Sequence, residues 1–166
     1  LTAAEVDVTQ VRQILMNTIK NASEAYDGAC GEVRIATGSD NLNDEKLARM
    51  LVRDGLEPGE YVWMEVEDQG CGMTPSKLQR IFDPFYSTKI AGRGLGLAAA
   101  LGIVRAHGGT LKVASRPGRG TRFRFYFPSV DTHQPFTPHA PLDPVPDFNG
   151  ETILVVDADE EIRSFV

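Results

Sequence analysis

Residues 61–73 read Tyr61-Val62-Trp63-Met64-Glu65-Val66-Glu67-Asp68-Gln69-Gly70-Cys71-Gly72-Met73. Up to Asp68 the apolar and polar positions alternate, the period of a strand whose one face carries Val62, Met64, Val66 and Asp68. A carboxylate that continues a buried face is costly to desolvate unless it is hydrogen-bonded. Gly70 and Gly72 break the strand and let backbone approach a flat ligand closely. The pattern suits a carboxylate accepting from an exocyclic amino group while a ring slides over the glycines. An Asp-x-Gly turn that merely closes a strand would read the same way. Trp63, on the opposite face, reads as packing.

Upstream, Val11, Ile14, Leu15, Ala22 and Ala25 have the spacing of an amphipathic helix, which Gly28 and Gly31 end. A second stripe runs beside the apolar one: Asn17, Lys20, Asn21 and Glu24 at i, i+3, i+4 and i+7. Amides are poor helix formers, and an amide oxygen is a neutral ligand suited to Mg²⁺, which takes its other ligands from water and phosphates. An ordinary solvated helix face is the competing explanation. Val33, Ile35 and Thr37 predict a short strand. Asn41 to Gly59 is polar and mixed, with one weak helix near Lys46 to Val52, and reads as a surface excursion.

Downstream of the strand, Ser76 to Phe82 predicts one or two helical turns. Gly92-Arg93-Gly94-Leu95-Gly96 precedes a helix marked by Leu97, Leu101 and Val104 that stops at Gly108-Gly109. Glycines opening a helix expose its first amides, whose positive dipole end holds phosphate. No Gly-Lys-Ser/Thr follows, which excludes a P-loop, and no strand precedes, which excludes a dinucleotide fingerprint. Leu111 to Ala114 and Thr121 to Phe127 predict two strands joined at Pro117-Gly118. Six prolines from Pro128 to Pro146 mark an extended linker over 129–150. In 151–166, Ile153 to Val156 reads as a buried strand followed by Asp157, Asp159, Glu160 and Glu161.

The bulk composition sets bounds. At 42% apolar and 24% charged, 166 residues bury a core without staples. Seventeen basic against 23 acidic residues give −6, which argues against a nucleic-acid or anionic-membrane surface. No run approaches a membrane span and no signal peptide opens the chain, so a cytoplasmic location is expected. The start at Leu1 reads as a piece of a longer protein. Cys30 and Cys71 have no disulfide or zinc spacing. His133 and His139 lie in the linker, and His107 stands at a helix C-terminus, where a capping role outweighs catalysis.

Taken in order, these pieces resemble the boxes of bacterial sensor histidine kinases. Asn17-x-x-x-Asn21-Ala22 is similar to the N box and Asp68-x-Gly70-x-Gly72-Met73 to the G1 box. Phe82-Asp83-Pro84-Phe85-Tyr86-Ser87-Thr88-Lys89 looks like the F box, and Gly92-x-Gly94-Leu95-Gly96-Leu97 like the G2 box. His107-Gly108-Gly109 and Gly120-Thr121-x-Phe123 also recur there. The resemblance covers residues 8–128. The tail from Ile153 is similar, over a much shorter stretch, to the start of a receiver domain, which suggests a hybrid kinase; its acidic pair is altered to Asp157-Ala158-Asp159.

The resemblance implies an α/β two-layer sandwich, a mixed, largely antiparallel sheet with helices on one face (the Bergerat-type ATP-binding fold), over residues 1–128. It implies ATP and Mg²⁺ as cofactors. Asn17, Lys20 and Asn21 take catalytic places, Asn21 as the metal ligand. Asp68 accepts from the adenine amino group, Gly72 admits the ring and Thr121 assists through water. Gly94 and Gly96 present amides to the phosphates, Lys89 is a further phosphate contact, and Phe82 to Ile90 form a lid. Nucleotide contacts are also implied for Ala25, Gly70, Met73, Ile81, Phe82, Ser87, Thr88, Gly92, Arg93, Leu95 and Leu97. The expected reaction is γ-phosphoryl transfer to a histidine of an upstream phosphoacceptor and dimerisation domain in a homodimeric parent, with a receiver domain as the next partner. Hydrolysing relatives carry a glutamate where Asn17 stands, and an amide takes no proton at neutral pH. A hydrolase of the same superfamily and a non-catalytic nucleotide sensor are the alternatives.

Overall fold

The computed structural model describes residues 2–53, 55–87 and 94–130. Helix α1 (Val8–Glu24) starts where the Asp7 side chain accepts from the Gln10 amide. It buries Ile14, Thr18 and Ala22, a face spaced by four. Strand β1 (Val33–Leu42) pairs antiparallel with β2 (Gly59–Asp68), and β2 with β4 (Thr121–Pro128). The sheet ends in β3 (Thr110–Ser115), giving the order β1-β2-β4-β3. Every strand pair among the described residues is antiparallel, so the expected parallel component is not seen there. Helix α4 (Gly96–Ala106) lies beside α1 on one face of the sheet. Two single-turn helices, α2 (Asp44–Leu47) and α3 (Pro75–Leu78), are capped by Asn43 and Thr74.

The helix-facing layer is the main core. Ile14, Ala100 and Val104 meet Met64, Leu111, Phe123, Phe125 and Phe127. Phe123, Phe125 and Phe127 share that face because side chains alternate along β4. His107 ends α4: its Nδ1 lies 2.9 Å from the Ile103 carbonyl, and its Nε2 accepts from the Asp7 amide at 3.1 Å. The capping role expected for it is joined by a second one, tying α4 to the start of α1.

Two elements depart from the sequence reading. Strand β1 runs ten residues, through Gly38-Ser39-Asp40-Asn41, which are poor strand formers. Pairing with β2 holds them in place, and Gly38 lies against the Trp63 indole, where a Cβ would come within 2.5 Å. Nor is the following segment a mere surface excursion. Leu42, Leu47 and Met50 join Tyr61 and Tyr126 in a second buried cluster on the other face of the sheet. The segment then reaches β3, where the Leu51 amide donates to the Leu111 carbonyl at 3.1 Å and Thr110 Oγ1 to the Val52 carbonyl at 2.8 Å. On the same face Arg124 pairs with the buried Glu65 at 2.6 Å and stacks 4.2 Å from the Trp63 ring centroid.

No described helix is long and apolar enough to cross a membrane. The expected receiver-like tail, and the linker from residue 131 on, lie outside the described residues.

Candidate functional site

A cavity of about 600 Å³ opens beside α1 and the first turn of α4, within the range that holds a small organic ligand. The polar stripe predicted on α1 faces it: Asn17, Lys20, Asn21 and Glu24 all line the wall. Asn17 Nδ2 also donates to the Gly96 carbonyl at 3.1 Å, fixing the helix that supplies the stripe to the helix that opens at the cavity. Leu95, which precedes α4, makes no side-chain cap, so among the described residues no N-cap oxygen engages the first amides of that helix.

Asp68 sits at the end of β2, 5% exposed, directly opposite Thr121 in the β2–β4 register. Burial pushes its carboxyl above the ordinary carboxylate range, and hydrogen bonds from the Gly70 and Thr121 amides pull it partly back. The Gly70 amide donates to Asp68 Oδ1 at 2.9 Å. Thus a buried, partly satisfied acceptor lines the cavity.

The loop after Asp68 has little slack. The Cys71 amide donates to the Ala25 carbonyl at 2.9 Å, and the Gly118 amide to the Cys71 carbonyl at 2.7 Å. The Gln69 amide donates to the Tyr26 hydroxyl at 2.8 Å, and the Met73 amide to Ser115 Oγ at 2.8 Å. Gly72 has φ +63°, and a Cβ there would lie 2.0 Å from the Arg116 carbonyl oxygen. Glycine at 72 is therefore demanded twice, by backbone conformation and by space.

Of the predicted contacts, Ala25, Met73, Ile81, Ser87, Gly94, Leu95, Gly96 and Leu97 join Asn17, Lys20, Asn21, Asp68, Gly72 and Thr121 along the cavity. Gly70 and Phe82 do not line it. Gly70 packs against Ala25, where a Cβ would come within 2.6 Å, and Phe82 packs on the main core. Thr88, Lys89, Gly92 and Arg93 lie outside the described residues, as does the end of the expected lid. At the near edge of that segment the Phe85 amide donates to the Gly94 carbonyl at 3.0 Å, and both residues have positive φ. Ala22, Cys71, Lys77, Tyr86 and Phe123 also line the cavity, and of these only Lys77 lies outside the motifs quoted from the sequence. Lys77 carried no signal, because a lone lysine on a one-turn helix looks like any solvated residue.

Among the described residues no three His, Cys, Asp or Glu side chains come together as a metal site. Asn21 lines the cavity, and its amide has no hydrogen-bond partner among them. This donor set fits Mg²⁺ only in the form the ion favours with nucleotides, one protein oxygen with phosphates and water completing the shell.

A sequence profile of the family described as histidine kinase-, DNA gyrase B- and HSP90-like ATPases matches residues 6–131. The sensor kinase CckA of Brucella abortus is 30% identical over 168 residues, covering 96% of this chain and 17% of its own length. The sensor histidine kinase ZraS of Klebsiella oxytoca is 38% identical over 125 residues, covering 75% and 23%. Among solved structures, full-length ShkA in complex with AMPPNP is similar, with TM-score 0.58, 30% identity and coverage of 78% of this chain and 23% of that one. The chain thus spans 17% to 23% of the length of these two curated relatives.

Proposed function

Because this chain belongs to the histidine kinase-, DNA gyrase B- and HSP90-like ATPase family, we propose that its cavity binds Mg-ATP and presents the γ-phosphoryl group to a histidine of a phosphoacceptor domain. The observation that carries the reading is the meeting of three unlike features in one cavity: the buried acceptor Asp68, the amide stripe of α1 and the open N-terminus of α4. The carboxylate suits the adenine amino group. The helix N-terminus, with Gly94 and Gly96, suits phosphate oxygens, and Lys20 adds positive charge on the same wall. Asn21 would hold Mg²⁺, which neutralises charge on the phosphates when bound.

The transfer breaks the bond between the γ-phosphorus and the β,γ-bridging oxygen, leaving ADP, and forms a phosphorus–nitrogen bond on the acceptor imidazole, which loses its proton to solvent. Most of the work in such a transfer is positioning and charge stabilisation. The residue at 17 favours transfer over hydrolysis. Its amide is engaged with Gly96 and cannot accept a proton, so it supplies no base for water. His107 is not an acceptor in this reading, since both ring nitrogens are already engaged.

The parent is read as a homodimeric kinase of bacterial two-component signalling, soluble or membrane-anchored, that works in the cytoplasm, with the catalytic domain over 1–128, a linker over 129–150 and a receiver-like start over 151–166. The test is incubation of this chain with γ-labelled ATP, Mg²⁺ and a separately supplied phosphoacceptor domain. Acid-labile, base-stable label on the acceptor supports the proposal; label on this chain alone contradicts it.

A further inference from the structure

Ser115 lies at the end of β3, outside every box of the sequence, yet its hydroxyl is the hub of the floor beneath Asp68. It accepts from the Met73 amide at 2.8 Å, lies 3.0 Å from the Gly120 carbonyl and 2.9 Å from Thr121 Oγ1. A serine hydroxyl has one proton to give. The Gly120 carbonyl can only accept, so with the serine proton directed there the contact with Thr121 must run the other way. Thr121 then donates its own proton to Ser115 and turns a bare oxygen lone pair toward the cavity it lines. Gly120 packs closely on the strand that carries Asp68: its φ is +75°, and a Cβ there would lie 1.9 Å from the Asp68 carbonyl oxygen.

We infer that Ser115 is a positioning residue for base selectivity: by fixing Thr121 as an acceptor beside the Asp68 carboxylate, it makes the floor of the cavity select a 6-amino over a 6-oxo purine. The inference rests on the adenine reading of Asp68 given above. Without Ser115 the Thr121 proton is released to rotate into the cavity and donate, which a 6-oxo base accepts.

The probes are ATP and ITP, whose purines differ in the 6-substituent and in the proton that the 6-oxo form carries on N1, titrated with Mg²⁺ into the full chain. Ser115→Ala is expected to shrink the ATP:ITP affinity ratio about three- to tenfold, the worth of one net hydrogen bond. Ser115→Thr keeps the hydroxyl and is expected to restore the ratio. Thr110→Val removes a buried hydroxyl elsewhere in β3 and is expected to lower the unfolding midpoint with the ratio unchanged. If Ser115→Ala does not fold, the near-isosteric Ser115→Cys reads the same quantity. An unchanged ratio in the serine variant beside a reduced one in Asp68→Asn overturns the inference alone. An unchanged ratio in both overturns the adenine reading and the inference with it.

Discussion

Asn17 Nδ2 donates to the main-chain oxygen of Gly96 at 3.1 Å, so α1 grips α4 at the turn where α4 opens onto the cavity. The same helix presents Asn21 one turn later, with no such engagement among the described residues. The two asparagines thus share a face but not a task.

Alanine at each position separates those tasks. Asn21→Ala is expected to remove most of the Mg²⁺ dependence of ATP affinity and to collapse transfer to a supplied acceptor. Asn17→Ala is expected to keep Mg²⁺-dependent binding, slow transfer more modestly and lose about 1 kcal/mol of stability with the Gly96 hydrogen bond. Calorimetric titrations with and without Mg²⁺ compare them; the reverse pattern would refute the division.

Asp68 is expected to favour ATP over GTP by at least about tenfold, because the carboxylate meets the guanine carbonyl as a second acceptor. Asp68→Asn is expected to shrink that gap with the fold intact. Equal ATP and GTP affinities in the parent chain would remove the basis of the assignment.

The same residue predicts a pH dependence. Burial raises the folded-state pKa of Asp68 above its ordinary 3.8. The folded state then binds the proton more readily than the unfolded one, so this group's contribution to stability falls as pH rises from 3.8 through the raised pKa. Its ionised form costs the folded state above that window. Asn lacks the charge, so Asp68→Asn is expected to gain relative to the parent as pH rises from 3.8 through the raised pKa in urea unfolding. A relative loss over that range would contradict it.

Glycines with similar φ are expected to differ sharply. Gly118→Ala, at φ +70° with open space around it, is expected to cost about 1–2 kcal/mol of backbone strain. Gly72→Ala meets the Arg116 carbonyl at 2.0 Å and is expected to cost more than about 3 kcal/mol and to abolish nucleotide binding. Thermal unfolding of the two variants makes the comparison, and equal costs would contradict the crowding at Gly72.

How much of this was legible in the sequence follows from which forces leave a local period. Helix α1, strand β2 and strand β4 bury one regular face each, so their spacing announced them, and the Asn17–Glu24 stripe fell on the cavity wall as its spacing required. The segment after β1 was missed because Leu47 and Met50, with Leu42 at the end of β1, find Tyr61 and Tyr126 across the sheet, at no fixed interval. Ser115 and Tyr26 were missed for a related reason. Each holds the Gln69–Met73 loop through a single hydroxyl from 42 and 43 residues away, respectively. A local pattern cannot register such a contact.

The most direct test of the central claim follows the γ-phosphorus. The chain is incubated with γ-labelled ATP and Mg²⁺, with and without a phosphoacceptor domain, while label on each protein and free phosphate are recorded together. Acid-labile, base-stable label is expected on the acceptor histidine alone, with only background phosphate release from this chain by itself. Sustained phosphate release without an acceptor, and no label when one is supplied, would make the cavity that of a hydrolase and refute the kinase assignment.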